Sequence, residues 1–160
     1  MRLSTEDIIN RYQDRLFAAS FSICRSAEDA EDIVQDTIIK YHQSNKDFES
    51  EEHIRAWLIR VCINLSKNLV LSFWNRNRMP WEEYMENLHF AEESDKHLFE
   101  AVMALPEKYR IVIHLFYYEG YSVQEIAKIL HRREGTVKSQ LTRGRKILKE
   151  ELQEEWRDDE

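Results

Sequence analysis

The chain is poor in the residues that break helices. Its 160 residues include three glycines and two prolines. Strand-rich folds need frequent turns and draw on both, so the composition points to an all-α protein. Cysteine is equally scarce: Cys24 and Cys62 stand alone in apolar surroundings. Two such residues give no disulfide framework and no metal-ligand spacing, and buried thiols are a simpler reading than a redox pair. No apolar stretch approaches the ~18 residues that a membrane-spanning helix needs. No apolar run follows a basic start, so no secretory signal is expected and the chain reads as a soluble cytoplasmic protein. H-E-x-x-H, P-loop and G-x-S-x-G patterns are also missing, and the six histidines are scattered. An enzyme is therefore disfavoured, and no cofactor or metal is expected.

What is present is charge, unevenly placed. The net charge of −7 argues at first against nucleic acid. Its distribution argues otherwise. From His131 to Lys149 there are seven Lys or Arg against the single acid Glu134; from Glu150 to Glu160 there are seven acids against Arg157. The basic patch is local.

Helical periodicity runs through the first half. Ser4 can cap a first helix with apolar positions Ile8, Ile9, Tyr12, Leu16, Phe17 and Ile23. Ser26, three residues before Asp29, can cap a second helix with face Ala30, Ile33, Val34, Thr37, Ile38 and Tyr41. After a polar loop from Asn45 to Glu52, a third helix carries Ile54, Trp57, Leu58, Val61, Cys62 and Leu65 and extends toward Leu69 or beyond. Between Asn75 and Asp95 the character changes to Arg76, Arg78, Pro80 and then six acids without Lys or Arg, an acidic tether with room for a short helix from Glu82 to His89.

The second half restarts at Leu98, Val102 and Leu105. Pro106 suits the first turn of a helix running to about Tyr118, and Gly120 suits a left-handed stop. Ser122 and Glu125 form an S-x-x-E capping box. Four helices are expected, with the middle pair as the DNA-binding motif. The helix after Ser122 places Val123, Ile126, Ala127 and Leu130 in one stripe, and small Ala127 allows a close crossing. After a three-residue turn, Val137, Leu141, Gly144 and Leu148 face inward on the next helix. Ser139, Thr142, Arg143 and Lys146 then face outward, flanked by Lys138 and Arg145. A solvated basic face would show the same charges. Placed behind a capped helix-turn-helix, however, such a set can pair with guanine edges and phosphates.

These motifs resemble a known family. The run 105–110 (Leu-Pro-Glu-Lys-Tyr-Arg), Tyr-Tyr-Glu-Gly-Tyr-Ser at 117–122, Glu125-Ile126-Ala127 and Thr136-Val137-Lys138-Ser139 are similar to region 4 of bacterial sigma factors of the extracytoplasmic-function (ECF) group. Residues 29–37 (Asp-Ala-Glu-Asp-Ile-Val-Gln-Asp-Thr) resemble that family's region 2 core-binding helix, and Ala56-Trp57-Leu58-Ile59-Arg60-Val61 with Asn64 its promoter-melting helix. The resemblance covers about four-fifths of the chain, in the family's order. It implies region 2 over 1–76, a linker over 77–95, region 4 over 96–155 and an acidic tail over 156–160. It implies a promoter-specificity factor whose partners are core RNA polymerase, promoter DNA and an anti-sigma factor. Asp29, Glu31, Asp32, Gln35 and Asp36 would face polymerase. Trp57, Arg60, Asn64, Lys67 and Asn68, with the loop from Phe48 to Glu51, would lie at the −10 element, and Arg76 and Arg78 at the DNA backbone. Lys138, Ser139, Thr142, Arg143, Arg145, Lys146 and Arg133 would lie at the −35 element.

The chain departs from the family pattern where Gly, an apolar residue and Ser are usual, having His131, Arg132 and Arg133 instead; Gln140 and Phe116 each replace a usual Arg. A helix-turn-helix regulator that does not serve polymerase is the rival reading, but it leaves the first half without a purpose.

Overall fold

The computed structural model describes residues 1–72 and 93–158, with side chains described over 1–70 and 95–153. The chain forms two compact units, Met1–Tyr84 and Met85–Glu160. The expected helix from Glu82 to His89, with Arg76 and Arg78, lies outside the described residues. Every regular element among the described residues is helical.

The first unit is a three-helix bundle of α1 (Thr5–Cys24), α2 (Ala27–Gln43) and α3 (Glu51–Ser72). Local chemistry sets two of the starts. Ser4 Oγ accepts the Asp7 N–H at 3.1 Å and Ser26 Oγ accepts that of Asp29 at 3.2 Å, each satisfying one otherwise orphaned donor. The core is built from one stripe of each helix: Ile8, Leu16, Ala30, Val34, Ile54, Leu58 and Cys62 are all buried. The stripe on α1 is narrower than the sequence suggests, because Ile9 is 37% exposed.

The loop from Ser44 to Ser50 is held by the chain start. Arg2 donates to the carbonyls of Tyr41 (2.6 Å) and Lys46 (3.0 Å) and stacks on the Tyr41 ring. The Phe48 N–H donates to the Met1 carbonyl at 3.1 Å.

The second unit contains α4 (Glu93–Ala104), α5 (Glu107–Ile113), α6 (Val123–Leu130) and α7 (Glu134–Asp158). Pro106 falls one position earlier than expected, at the N-cap of α5 (φ −54, ψ 145). The helix expected to run to Tyr118 changes pitch at His114, where a π-helical segment His114–Tyr118 begins. The Glu119 N–H then bonds the His114 carbonyl. That wider turn keeps Leu115 buried while leaving Tyr117 and Tyr118 each 59% exposed. Gly120 adopts φ +75, which ends the element and turns the chain toward α6.

The last two helices, not the middle pair, form the helix-turn-helix. Ile126, Ala127 and Leu130 of α6 meet Val137 and Leu141 of α7 in the core. Gly144 lets α7 approach α5: a Cβ there would stand 3.1 Å from Ile113 Cγ1. Helix α7 runs through Asp158, so the expected acidic tail is helical over 156–158.

Candidate nucleic-acid and polymerase interfaces

Helix α6 begins with the expected capping box: Ser122 Oγ accepts from Glu125 N–H, and Glu125 Oε1 accepts from Ser122 N–H, both at 3.1 Å. At the other end His131 takes the left-handed conformation (φ 54) in which its N–H reaches the Ala127 carbonyl. Arg133 supplies the first carbonyl of α7, accepting from Val137 N–H at 3.1 Å. An arginine side chain has only donors and cannot cap the N–H groups of that first turn.

Arg133, Lys138, Ser139, Thr142, Arg143, Arg145 and Lys146 are all exposed. Arg133, Ser139 and Arg143 line a single open cleft with Lys108, Thr136 and Gln140. Thr142 and Lys146 are on the outward side of α7 and Lys138 toward its flank, by the ~100° step of the helix. Arg145, seven residues after Lys138, lies on the same flank as that residue and away from the cleft, where its Nε bonds the Tyr117 hydroxyl and its guanidinium stacks on Phe116 (5.3 Å) and Tyr117 (5.4 Å). It forms part of the wall of a mainly apolar groove with Leu98, Val102 and Leu152.

Sequence reasoning missed Lys108, Thr136 and Gln140 as cleft residues, and Arg132 behind them. Arg132 donates from Nη1 to Gln140 Oε1 at 2.9 Å and reaches the Lys108 carbonyl at 3.4 Å. Burial pushes its pKa down, and Glu107 opposes the shift. The signal was available: Arg132 and Gln140 are both departures from the family pattern.

On α3, Trp57, Arg60, Asn64, Lys67 and Asn68 follow helical spacing along one strip. Arg60, Asn64 and Asn68 are exposed, while Trp57 and Lys67 are half-buried. Phe48 corrects the expectation set for it. It is 2% exposed, stacked with Tyr41 (5.8 Å) and edge-on to Trp57 (5.8 Å) and His53 (5.1 Å). Its ring faces the core because an aromatic in this short loop removes more apolar area from water inward than outward. It cannot stack on a base from there, and instead it braces Trp57.

At the start of α3, Glu51 accepts from Arg11 and from the Tyr12 hydroxyl, both at 2.9 Å. Those hydrogen bonds hold its carboxyl below the usual range. Burial and the same carboxylate raise Tyr12 to about 12.

On α2, Glu31, Asp32, Gln35 and Asp36 are exposed and Asp29 is half-buried at the capped start. Glu31 and Gln35 share a cleft with Ile9, Asp14, Phe17 and Ile39, drawn from both α1 and α2. Ile39 is 50% exposed. The acidic residues thus border an apolar floor that charge counting alone could not show.

Comparison with known proteins defines the class. Residues 8–76 match the family described as sigma-70 region 2, and residues 97–148 match sigma-70 region 4. The chain is 27% identical over 165 residues to the ECF RNA polymerase sigma-E factor of Haemophilus influenzae, covering 91% of this chain and 86% of that one. Among solved structures, it is similar to the sigma factor RpoE of Bartonella quintana, determined in complex with the anti-sigma factor NepR (TM-score 0.73, 23% identity, 92% and 96% covered). It is also similar to CnrH in complex with the cytosolic domain of CnrY (TM-score 0.67, 25% identity, 93% and 87% covered).

The chain belongs to the sigma-70 family, as a member of its ECF group. It is a promoter-specificity factor: it binds core RNA polymerase, recognises the −35 and −10 promoter elements and helps open DNA for initiation.

Proposed function

We propose the division of labour within this sigma factor. The α7 cleft, with Arg133, Ser139 and Arg143 on its walls, enters the major groove of the −35 element. Lys138, Thr142 and Lys146 extend its reach to phosphates and neighbouring bases. The α3 strip of Trp57, Arg60, Asn64, Lys67 and Asn68 contacts the −10 element, where unpaired bases need stacking and hydrogen-bonding side chains. Arg76 and Arg78 follow it in sequence and serve the DNA backbone. Arg145, held against Tyr117, belongs to the packing of its flank.

Core polymerase docks on α2 through Glu31, Asp32, Gln35 and Asp36, with Asp29 at the edge. The observation that carries this assignment is the mixed cleft in which apolar Ile9, Phe17 and Ile39 stand beside Asp14 and exposed Glu31 and Gln35. An apolar centre with a charged rim is the usual anatomy of a protein interface. Capture of core polymerase on the immobilised chain tests it. Ile39→Asp should weaken capture at least about tenfold, as expected of a central interface residue, with the melt of the chain unchanged. Undiminished capture would remove the cleft from the interface.

The chain works by binding, in the cytoplasm, without catalytic chemistry of its own. No helix among the described residues is long and apolar enough to cross a membrane. An anti-sigma factor is a further partner of this reading, as RpoE of Bartonella quintana was determined in complex with the anti-sigma factor NepR.

A further inference from the structure

Gln140 lies in the α7 cleft beside Ser139 and Arg143. Its Oε1 accepts from Arg132 Nη1 at 2.9 Å, its one side-chain hydrogen bond among the described residues. The two ends of a glutamine amide are normally hard to tell apart. Here chemistry decides, because a guanidinium has only donors and must face the oxygen. Arg132 is in turn fixed from behind by the Lys108 carbonyl. The Nε2 group is the end of the amide that Arg132 does not engage.

We infer that Arg132 fixes the Gln140 amide so that its Nε2 donors dominate the reading of one −35 base pair. This rests on the assignment of the α7 cleft to the −35 element. A free glutamine pairs with adenine through both amide atoms, accepting from N6 and donating to N7. Arg132 takes one of the two lone pairs of Oε1 and holds the amide beside a cation, which disfavours that bidentate pair because the adenine N6 donor would approach an oxygen already facing a guanidinium. The remaining N–H donors suit an edge that offers acceptors: O6 and N7 of guanine, or O4 of thymine. They meet a donor on cytosine N4. Arg132 is therefore a positioning residue that sets specificity without touching DNA. An arginine at position 140 would meet the Arg132 guanidinium with like charge, whereas an acceptor is drawn to it.

The test is run-off transcription by the reconstituted holoenzyme on a promoter library randomised across the −35 element, with transcripts sequenced. The wild type should prefer guanine or thymine on the contacted strand at one base pair. Gln140→Ala should flatten that preference by roughly tenfold and leave the other positions in order, the scale of one good base contact. Arg132→Ala should free Oε1 and move the same base pair toward adenine, with the melting temperature little changed. Gln140→Glu keeps an acceptor for Arg132 but has no donor, and should lose the preference as Gln140→Ala does. An unchanged preference in Gln140→Ala overturns the inference. So does a uniform loss at every position, which would assign Gln140 to a phosphate. An Arg132→Ala variant with the wild-type preference overturns the positioning role. A wild type with no −35 preference at all would instead overturn the assignment of the cleft.

Discussion

His131 and Arg133 show how single residues tune the helix-turn-helix. His131 carries a Cβ through the left-handed region at φ 54, where glycine is at ease. His131→Gly should therefore stabilise the chain by about 1 kcal/mol, read as a higher urea midpoint for the second unit. Arg133 stands where α7 begins and offers no cap. Arg133→Ser should add about 1 kcal/mol through a new N-cap bond, yet weaken −35 binding because a cation leaves the cleft. A melt showing no gain would remove the capping argument. Such features are legible in the sequence because they are local. Ser4, Ser26 and the Ser122–Glu125 box act across three residues, and each is found where the spacing places it. Phe48 was not legible, because its burial depends on Tyr41 and Trp57 and on the Met1 carbonyl, distant in sequence.

Phe48 matters at the scale of the element, since it fastens the loop to α2 and α3. Phe48→Ala should cost the first unit roughly 3–5 kcal/mol, a core cavity rather than a lost DNA contact. Normal stability with a selective −10 defect would restore the ring to the DNA surface. The π segment was likewise hidden from periodicity. One extra residue in a turn slips the pattern slightly, and the apolar run from Ile111 to Tyr118 reads as helix either way. Within that segment, His114 is stacked on Tyr118 at 4.9 Å, with Nε2 out of reach of solvent and without a hydrogen-bond partner among the described residues. Burial lowers its pKa from 6.5 to about 4. The folded state therefore disfavours the protonated ring, and the unfolded chain binds more protons between those two values. Stability should be full above pH ~6.5 and fall as pH drops toward ~4, by up to about 3 kcal/mol. Melts at pH 7 and pH 5.5 check the direction. His114→Phe should flatten the decline, and an unchanged slope in that variant would clear His114 of it.

For the whole molecule, the two-part organisation was legible from the shift in charge, and the helical class from the scarcity of glycine and proline. The region 2 and region 4 matches at 8–76 and 97–148 then give both halves one purpose. The finer interfaces were less legible, because they are made between elements. The cleft on the first unit needs Ile9 of α1 beside Ile39 of α2, and the cleft proposed for the −35 element needs Lys108 of α5 beside Gln140 of α7. Neither pairing is local, so no window along the sequence contains it. The most direct measurement is run-off transcription with core polymerase and a fully randomised promoter library, with and without this chain. Initiation should require the chain and select paired −35 and −10 elements, and Arg143→Ala should reorder the −35 preference alone. Equal initiation without the chain, none with it, or a change confined to −10 in Arg143→Ala would contradict the account.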